Sequence, residues 1–255
     1  MPNLKGCITD VPGLKAGSAE SENGQTGCTV ILPPNGKAVA GICTHGSAPA
    51  NKELDLIRID GITETVNAVL LTGGSAFGLD SSTGVMKWLE EKKLGFDAGV
   101  ANVPLVPTLS IFDLAVGNPN VRPNAKMGYS ACENFSSAPI KNGKSGVGMG
   151  ATVGKLKGMD FCSPSGLGTA SAQMGEAVVA TIGVSNAFGD LRNERGEIVA
   201  GAKDENDKWL DCKNTIVKEG IPGAENLFAN CTFAVVATDM NLNRKQANKV
   251  AEMAM

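Results

Sequence analysis

Apolar and polar positions along the chain outline a set of short buried strands and a few helices. Residues 27–32 (GCTVIL) and 38–43 (AVAGIC) are runs of small and β-branched residues, and Pro33-Pro34-Asn35-Gly36 between them supplies turn chemistry. Residues 67–71 (NAVLL) predict a third, buried strand that runs into Thr72-Gly73-Gly74-Ser75. A helix is expected from about Ala76 to Lys93. Leu79, Val85, Met86 and Leu89 recur there at helical spacing, and a charged segment, Glu90-Glu91-Lys92-Lys93, closes it. Residues 109–114 (LSIFDL) predict another strand, 124–135 a short helix, and 166–173 with 177–184 a hairpin around Met174-Gly175-Glu176. The polar stretch from Asn193 to Glu225 reads as an exposed loop. Residues 232–238 predict a strand, after which Asn243 caps a helix with Gln246 in the capping-box position. Ala247, Val250, Ala251 and Ala254 form one stripe of that helix, which reaches Met255 without a stop signal, as in a chain cut off within an element.

Strands and isolated helices without strict alternation favour an α+β fold with stacked sheets. No linker or shift in composition divides the sequence, so a single domain over residues 1–255 is expected. The 32 glycines and the 4% aromatic content fit many strands, tight turns and close backbone approach better than a helical bundle. A net charge of −3 with no run of Lys or Arg lacks the basic footprint of a nucleic-acid binder. Apolar stretches fall short of a bilayer span and the N-terminus lacks an apolar targeting core, so no membrane partner and a cytoplasmic location are expected. Seven cysteines, an odd number without a C-x-x-C spacing, argue against a zinc site or a disulfide framework. No metal or cofactor is therefore expected. His45 is the only histidine, so a histidine-based triad would have to use it.

The richest chemistry lies at Asn230-Cys231-Thr232, at the threshold of the run Phe233–Thr238. A cysteine opening an apolar strand is what a small core residue looks like. It is also where a nucleophile would stand if the chain cut itself at Asn230–Cys231. The thiol would attack the Asn230 carbonyl, water would open the resulting thioester, and the freed α-amine would serve as general base. Such a site needs an oxyanion donor. Asn186, in VSNAFGD after a predicted strand, suits that role or that of a turn residue. Lys155 closes the Gly-rich GMGATVGK and reads either as a solvated charge or as a cation beside the nucleophile. Gly73-Gly74-Ser75-Ala76-Phe77-Gly78 fails the nucleophile-elbow, dinucleotide and P-loop patterns; it offers tight strand-to-helix packing or an anion-binding helix start.

Six segments taken in order resemble one family: TGCTVIL (26–32), LTGGSAFGL (71–79), GMGATVGK (148–155), GLGTAS (166–171), VSNAFGD (184–190) and NCTFAVVATD (230–239). The chain looks like the DmpA-type L-aminopeptidase/D-esterase family and its relatives, the nylon-oligomer hydrolases, from about residue 8 to 255. The resemblance implies an α-β-β-α sandwich, here incomplete at the C-terminus. It also implies a precursor that cleaves itself into a large subunit (1–230) and a small one starting at Cys231, the processed unit forming homotetramers. Cys231 would be the nucleophile, with Lys155 and Asn186 matching active-site positions. Phe112 falls where relatives carry a tyrosine and, with Gly73, Gly74 and Ser75, is a candidate for the substrate pocket. The nucleophile is usually Thr or Ser in this family, and relatives continue into a segment that supplies acidic residues. The expected substrate is a small peptide or amide. Acyl transfer to an amine and a catalytically silent homologue are the alternatives.

Overall fold

The computed structural model describes residues 4–46, 48–221 and 230–255. Its first sheet has five strands: β1 (Lys15–Ser21), β2 (Thr26–Leu32), β3 (Asn51–Lys52), β4 (Val69–Thr72) and β5 (Thr108–Ser110), in the order β1-β2-β4-β5-β3. All neighbours run antiparallel except the pair β4–β5. The second sheet has three antiparallel strands, β6 (Leu167–Met174), β7 (Ala177–Asn186) and β8 (Cys231–Thr238), in that order. Among the described residues the α-helices are α1 (Ser75–Gly78), α2 (Ser81–Glu91), α3 (Ala125–Glu133), α4 (Cys212–Glu219) and α5 (Arg244–Met253).

Two apolar layers follow from the two-residue period of the strands. Strand β2 is buried at every position, so it must be covered on both faces. One face packs Cys28 and Val30 with Leu70 against Val85 and Leu89 of α2 and Ala131 and Cys132 of α3. The other face sets Ala16, Ile31 and Leu71 against Val178, Ala180, Ile182 and Val184 of β7. The result is a helix–sheet–sheet stack of α+β type. Strand β7 alternates without fault, its even-numbered residues from Val178 to Asn186 all turned inward. Phe233, Val235 and Ala237 of β8 join the same core while Thr232, Ala234 and Val236 face outward. Parity therefore places Cys231 on the inner face, at the rim of the sandwich.

Several expectations need correction. The 38–43 strand shrinks to Ala38–Val39 and pairs with Thr65–Val66, not with β2. The 109–114 strand ends at Ser110. The 76–93 helix is two helices, interrupted at Leu79–Asp80. The expected loop from 193 to 225 holds a short ladder of Leu191–Arg192 with Ile198–Ala200, and helix α4, capped by the Asp211 carboxylate on the Asn214 N–H; its last four residues lie outside the described ones. Strand β1 goes unread in the sequence because KAGSAES is small and polar; it is drafted by seven register pairs with β2. The capping box on α5 forms as read: Asn243 accepts from the Gln246 N–H and the Gln246 side chain accepts from the Asn243 N–H, both at 2.9 Å.

Candidate active site

The hairpin register brings the site together. Asn186 ends β7 and Cys231 opens β8, and the two are directly paired. Asn186 is fully buried, the polar end of an apolar row. Its amide orientation is fixed by partners that have no choice of role. The Thr152 backbone N–H donates to Oδ1 at 3.1 Å, and Nδ2 donates to the Phe112 carbonyl at 2.8 Å. The same Nδ2 stands 3.8 Å from Cys231 Sγ. An amide donor thus faces the sulfur, as an oxyanion-side group must.

Lys155 reaches the site from the Gly-rich segment. The N–H groups of Gly154 and Lys155 donate to the carbonyls of Gly189 and Phe188, both at 2.8 Å, which lays residues 154–155 alongside the segment that follows β7. Its Nζ donates to the Asn186 carbonyl at 3.2 Å. The ammonium is buried, and desolvation lowers its pKa to about 8 against the attraction of Cys231, Cys162 and Asp113. Burial pushes the Cys231 thiol up, while the Phe112 backbone, Asn186 and Lys155 favour its thiolate and Asp113 opposes it. Cys162, whose charge also acts on Lys155, donates to the Met159 carbonyl at 3.0 Å, and its thiol is raised by burial.

Phe112 contributes its backbone to the site, its carbonyl accepting from Asn186 Nδ2 at 2.8 Å. Gly74 donates its N–H to Asp113 Oδ1 at 2.7 Å, and Gly73 lies against the same carboxylate. The Ser75 N–H donates to the Ile111 carbonyl and its carbonyl accepts from the Ser110 hydroxyl. His45 is exposed on a loop. Sequence reading misses Asp113, Thr26 and Thr152. Asp113 is buried and accepts from the Thr26 hydroxyl at 2.6 Å. The only signal for it in the sequence is a carboxylate inside the apolar run LSIFDL. Among the described residues no group of three or more His, Cys, Asp or Glu side chains is disposed to hold a metal ion, and no helix is long and apolar enough to cross a membrane.

The profile of peptidase family S58 matches residues 6–255. The chain belongs to that family. It is 43% identical over 195 residues to an uncharacterized aminopeptidase of Mycobacterium tuberculosis, a stretch covering 72% of this chain and 54% of that protein. The chain thus spans about half the length of the first of these relatives. It is 27% identical over 253 residues to a 6-aminohexanoate-oligomer endohydrolase of Kocuria sp., covering 95% of this chain and 66% of the relative. A Burkholderia sp. beta-aminopeptidase superposes with a TM-score of 0.68 at 22% identity, over the whole of this chain and 67% of that one. An L-aminopeptidase D-Ala-esterase/amidase of Ochrobactrum anthropi, described as a variant of the Ntn-hydrolase fold, gives 0.66 at 18% over 69% of its length. These likenesses fix the α+β fold of this S58 chain as the one those enzymes use.

Proposed function

We propose that this S58 chain is a self-processing amidohydrolase of the aminopeptidase type that cleaves small peptides or amides through an acyl-enzyme on Cys231. One observation carries the reading: a cysteine at the mouth of the sandwich, with an amide donor 3.8 Å from its sulfur and a buried lysine on the same paired strand end. Membership of a peptidase family supports the reaction class.

In the precursor, Cys231 has no free amine, so its thiol proton needs another acceptor. Lys155, with a pKa of about 8, is in part neutral near neutral pH and takes that role. Sγ attacks the Asn230 carbonyl, and the tetrahedral oxyanion is met by the amide of Asn186. Collapse breaks the Asn230–Cys231 C–N bond, leaving a thioester on Sγ and a free amine on Cys231. Water then hydrolyses the thioester to the Asn230 carboxylate and restores the thiol. In turnover the new α-amine, whose ordinary pKa is about 7.7–8.0, takes the thiol proton itself. Lys155 then stands as a cation beside the developing negative charge. The single domain over residues 1–255, the division at residue 230 into two subunits, a cytoplasmic location and a homotetramer of the processed unit complete the proposal.

Turnover of an aminoacyl p-nitroanilide tests it. The wild type releases nitroaniline with acyl label trapped on Cys231, and Cys231→Ala does not. Absence of turnover and of acylation in a folded, processed wild type would favour a silent homologue. Formation of a new amide when an amine acceptor is added would mark acyl transfer instead.

A further inference from the structure

Asp113 touches no reacting atom, yet its surroundings are built around it. Its carboxylate is 2% exposed. Oδ1 accepts from the Gly74 N–H at 2.7 Å and Oδ2 from the Thr26 hydroxyl at 2.6 Å. Backbone closes on it from two further sides. A Cβ on Gly73 would overlap the carboxylate and the Thr26 hydroxyl, and a Cβ on Gly150 would run into the Gln25 carbonyl and the Asp113 side chain. Four separate segments (25–26, 73–74, 113 and 150) therefore meet at one buried anion. Burial raises the carboxyl pKa, opposed by these donors and by Lys155, so a charge here carries a cost that a plain packing residue would not.

The residue held in place by this clamp is Phe112, whose peptide groups reach into the site. Its carbonyl accepts from Asn186 Nδ2 at 2.8 Å, and that same Nδ2 stands 3.8 Å from Cys231 Sγ. Movement of the Phe112–Asp113 link would disturb both. Resting on the reading of Cys231 as nucleophile, we propose that Asp113 is a positioning residue, whose clamped carboxylate fixes the Phe112 backbone so that its carbonyl orients the Asn186 amide toward Cys231 Sγ.

A mere charge effect and a positioning effect are separated by removing the charge while keeping the shape of the side chain. Lys155 favours the Cys231 thiolate and Asp113 disfavours it, while Cys162 and Asp113 both help to hold the proton on Lys155. Deleting the Asp113 charge lowers the Cys231 midpoint directly but also loosens the Lys155 proton, and Asp113→Asn, which deletes the same charge, reads that effect by itself. Turning the Asn186 Nδ2 donor away from the sulfur would raise that midpoint.

The experiment is iodoacetamide labelling of the purified full chain from pH 6 to pH 10, with Cys231 and the half-buried Cys43 quantified by peptide mapping and folding followed by circular dichroism. In the wild type Cys231 labels ahead of Cys43. Asp113→Ala slows Cys231 about tenfold at neutral pH and moves its midpoint upward, the thiolate fraction falling tenfold for each pH step below the midpoint. Asp113→Asn, which keeps an oxygen for the Gly74 N–H, recovers most of the rate. Thr26→Val, which removes one donor and no charge, gives a smaller loss of the same sign and decides the matter should Asp113→Ala not fold. A folded Asp113→Ala with an unchanged or lowered midpoint, or a Thr26→Val at the wild-type rate, would overturn the inference while leaving Cys231 as nucleophile. A wild-type Cys231 no faster than Cys43 would remove both.

Discussion

At the scale of single residues the site depends on a few buried polar groups with defined partners. Asn186 is the most heavily committed, serving Thr152, Phe112 and Cys231 at once. Asn186→Ala strands a buried N–H and a buried carbonyl, so a loss of about 1–3 kcal/mol in unfolding free energy is expected, read by urea denaturation. The same change lowers the rate of the folded fraction by roughly 10²–10³ if Asn186 supports the oxyanion. Lys155 behaves in the opposite way. Its pKa falls from 10.5 to about 8 on folding, so the folded state binds the proton less tightly than the unfolded one. The resulting penalty is present in full below about pH 8 and is relieved as pH rises from there toward the unfolded value. Lys155→Met removes it and is expected to stabilise the fold at neutral pH by up to roughly 3 kcal/mol, with activity abolished. A Lys155→Met variant less stable than the wild type at pH 7 and equal to it at pH 10 would contradict this. Lys155→Arg, which cannot lose its proton, is expected to block self-cleavage at every accessible pH. Cys231, Asn186 and Lys155 were all legible in the sequence, each beside a recognisable segment. Asp113 was not, because its meaning comes from Thr26, Gly73, Gly74 and Gly150, which are remote in sequence and adjacent only in the fold.

At the scale of elements, the parts that carry their own periodicity were readable. Strand β7 and strand β8 show the alternation that turns both Asn186 and Cys231 inward, and a one-residue slip between them would expose the thiol. The elements missed or misread lack such a signal. Strand β1 is held by pairing with β2, and the 38–43 run stops after two residues because its partner is the short Thr65–Val66. Helix α5 was legible from its capping box. It is anchored by Asn248, whose amide donates to the Ile57 carbonyl at 3.1 Å while its oxygen accepts from the Ile42 N–H at 3.2 Å. Asn243→Ala is expected to lower stability by about 1 kcal/mol, visible as a fall in Tm, with the labelling of Cys231 unaltered. A change in Cys231 reactivity in that variant would show that α5 is coupled to the site.

At the scale of the whole molecule, β8 has two surroundings. Its first residue lies at the polar rim with Asn186, and its later residues line a cavity of about 560 Å³ shared with Pro33, Ile57, Val250 and Ala251. The lining of that cavity on β8 begins at Ala234, three residues along the strand from Cys231. Val236 and Met240 are exposed nearby, and β8 stands at an open edge of its sheet among the described strands. Such edges and apolar surfaces favour association. Light scattering is expected to give a mass well above one chain, with a tetramer the predicted species; a monomer at micromolar concentration would count against it. The stacked-sheet architecture was legible from composition and strand spacing, whereas the order of strands in each sheet was not, since it depends on which segments pair across long separations.

The central claim is that the Asn230–Cys231 bond yields to its own sulfur, and intact-mass measurement of the purified chain tests it most directly. The account predicts that the wild type resolves with time into two pieces that divide after Asn230, their masses summing to the precursor plus one water, while Cys231→Ala remains whole. A wild-type chain that stays at a single precursor mass through prolonged incubation at pH 8, correctly folded throughout, would contradict it.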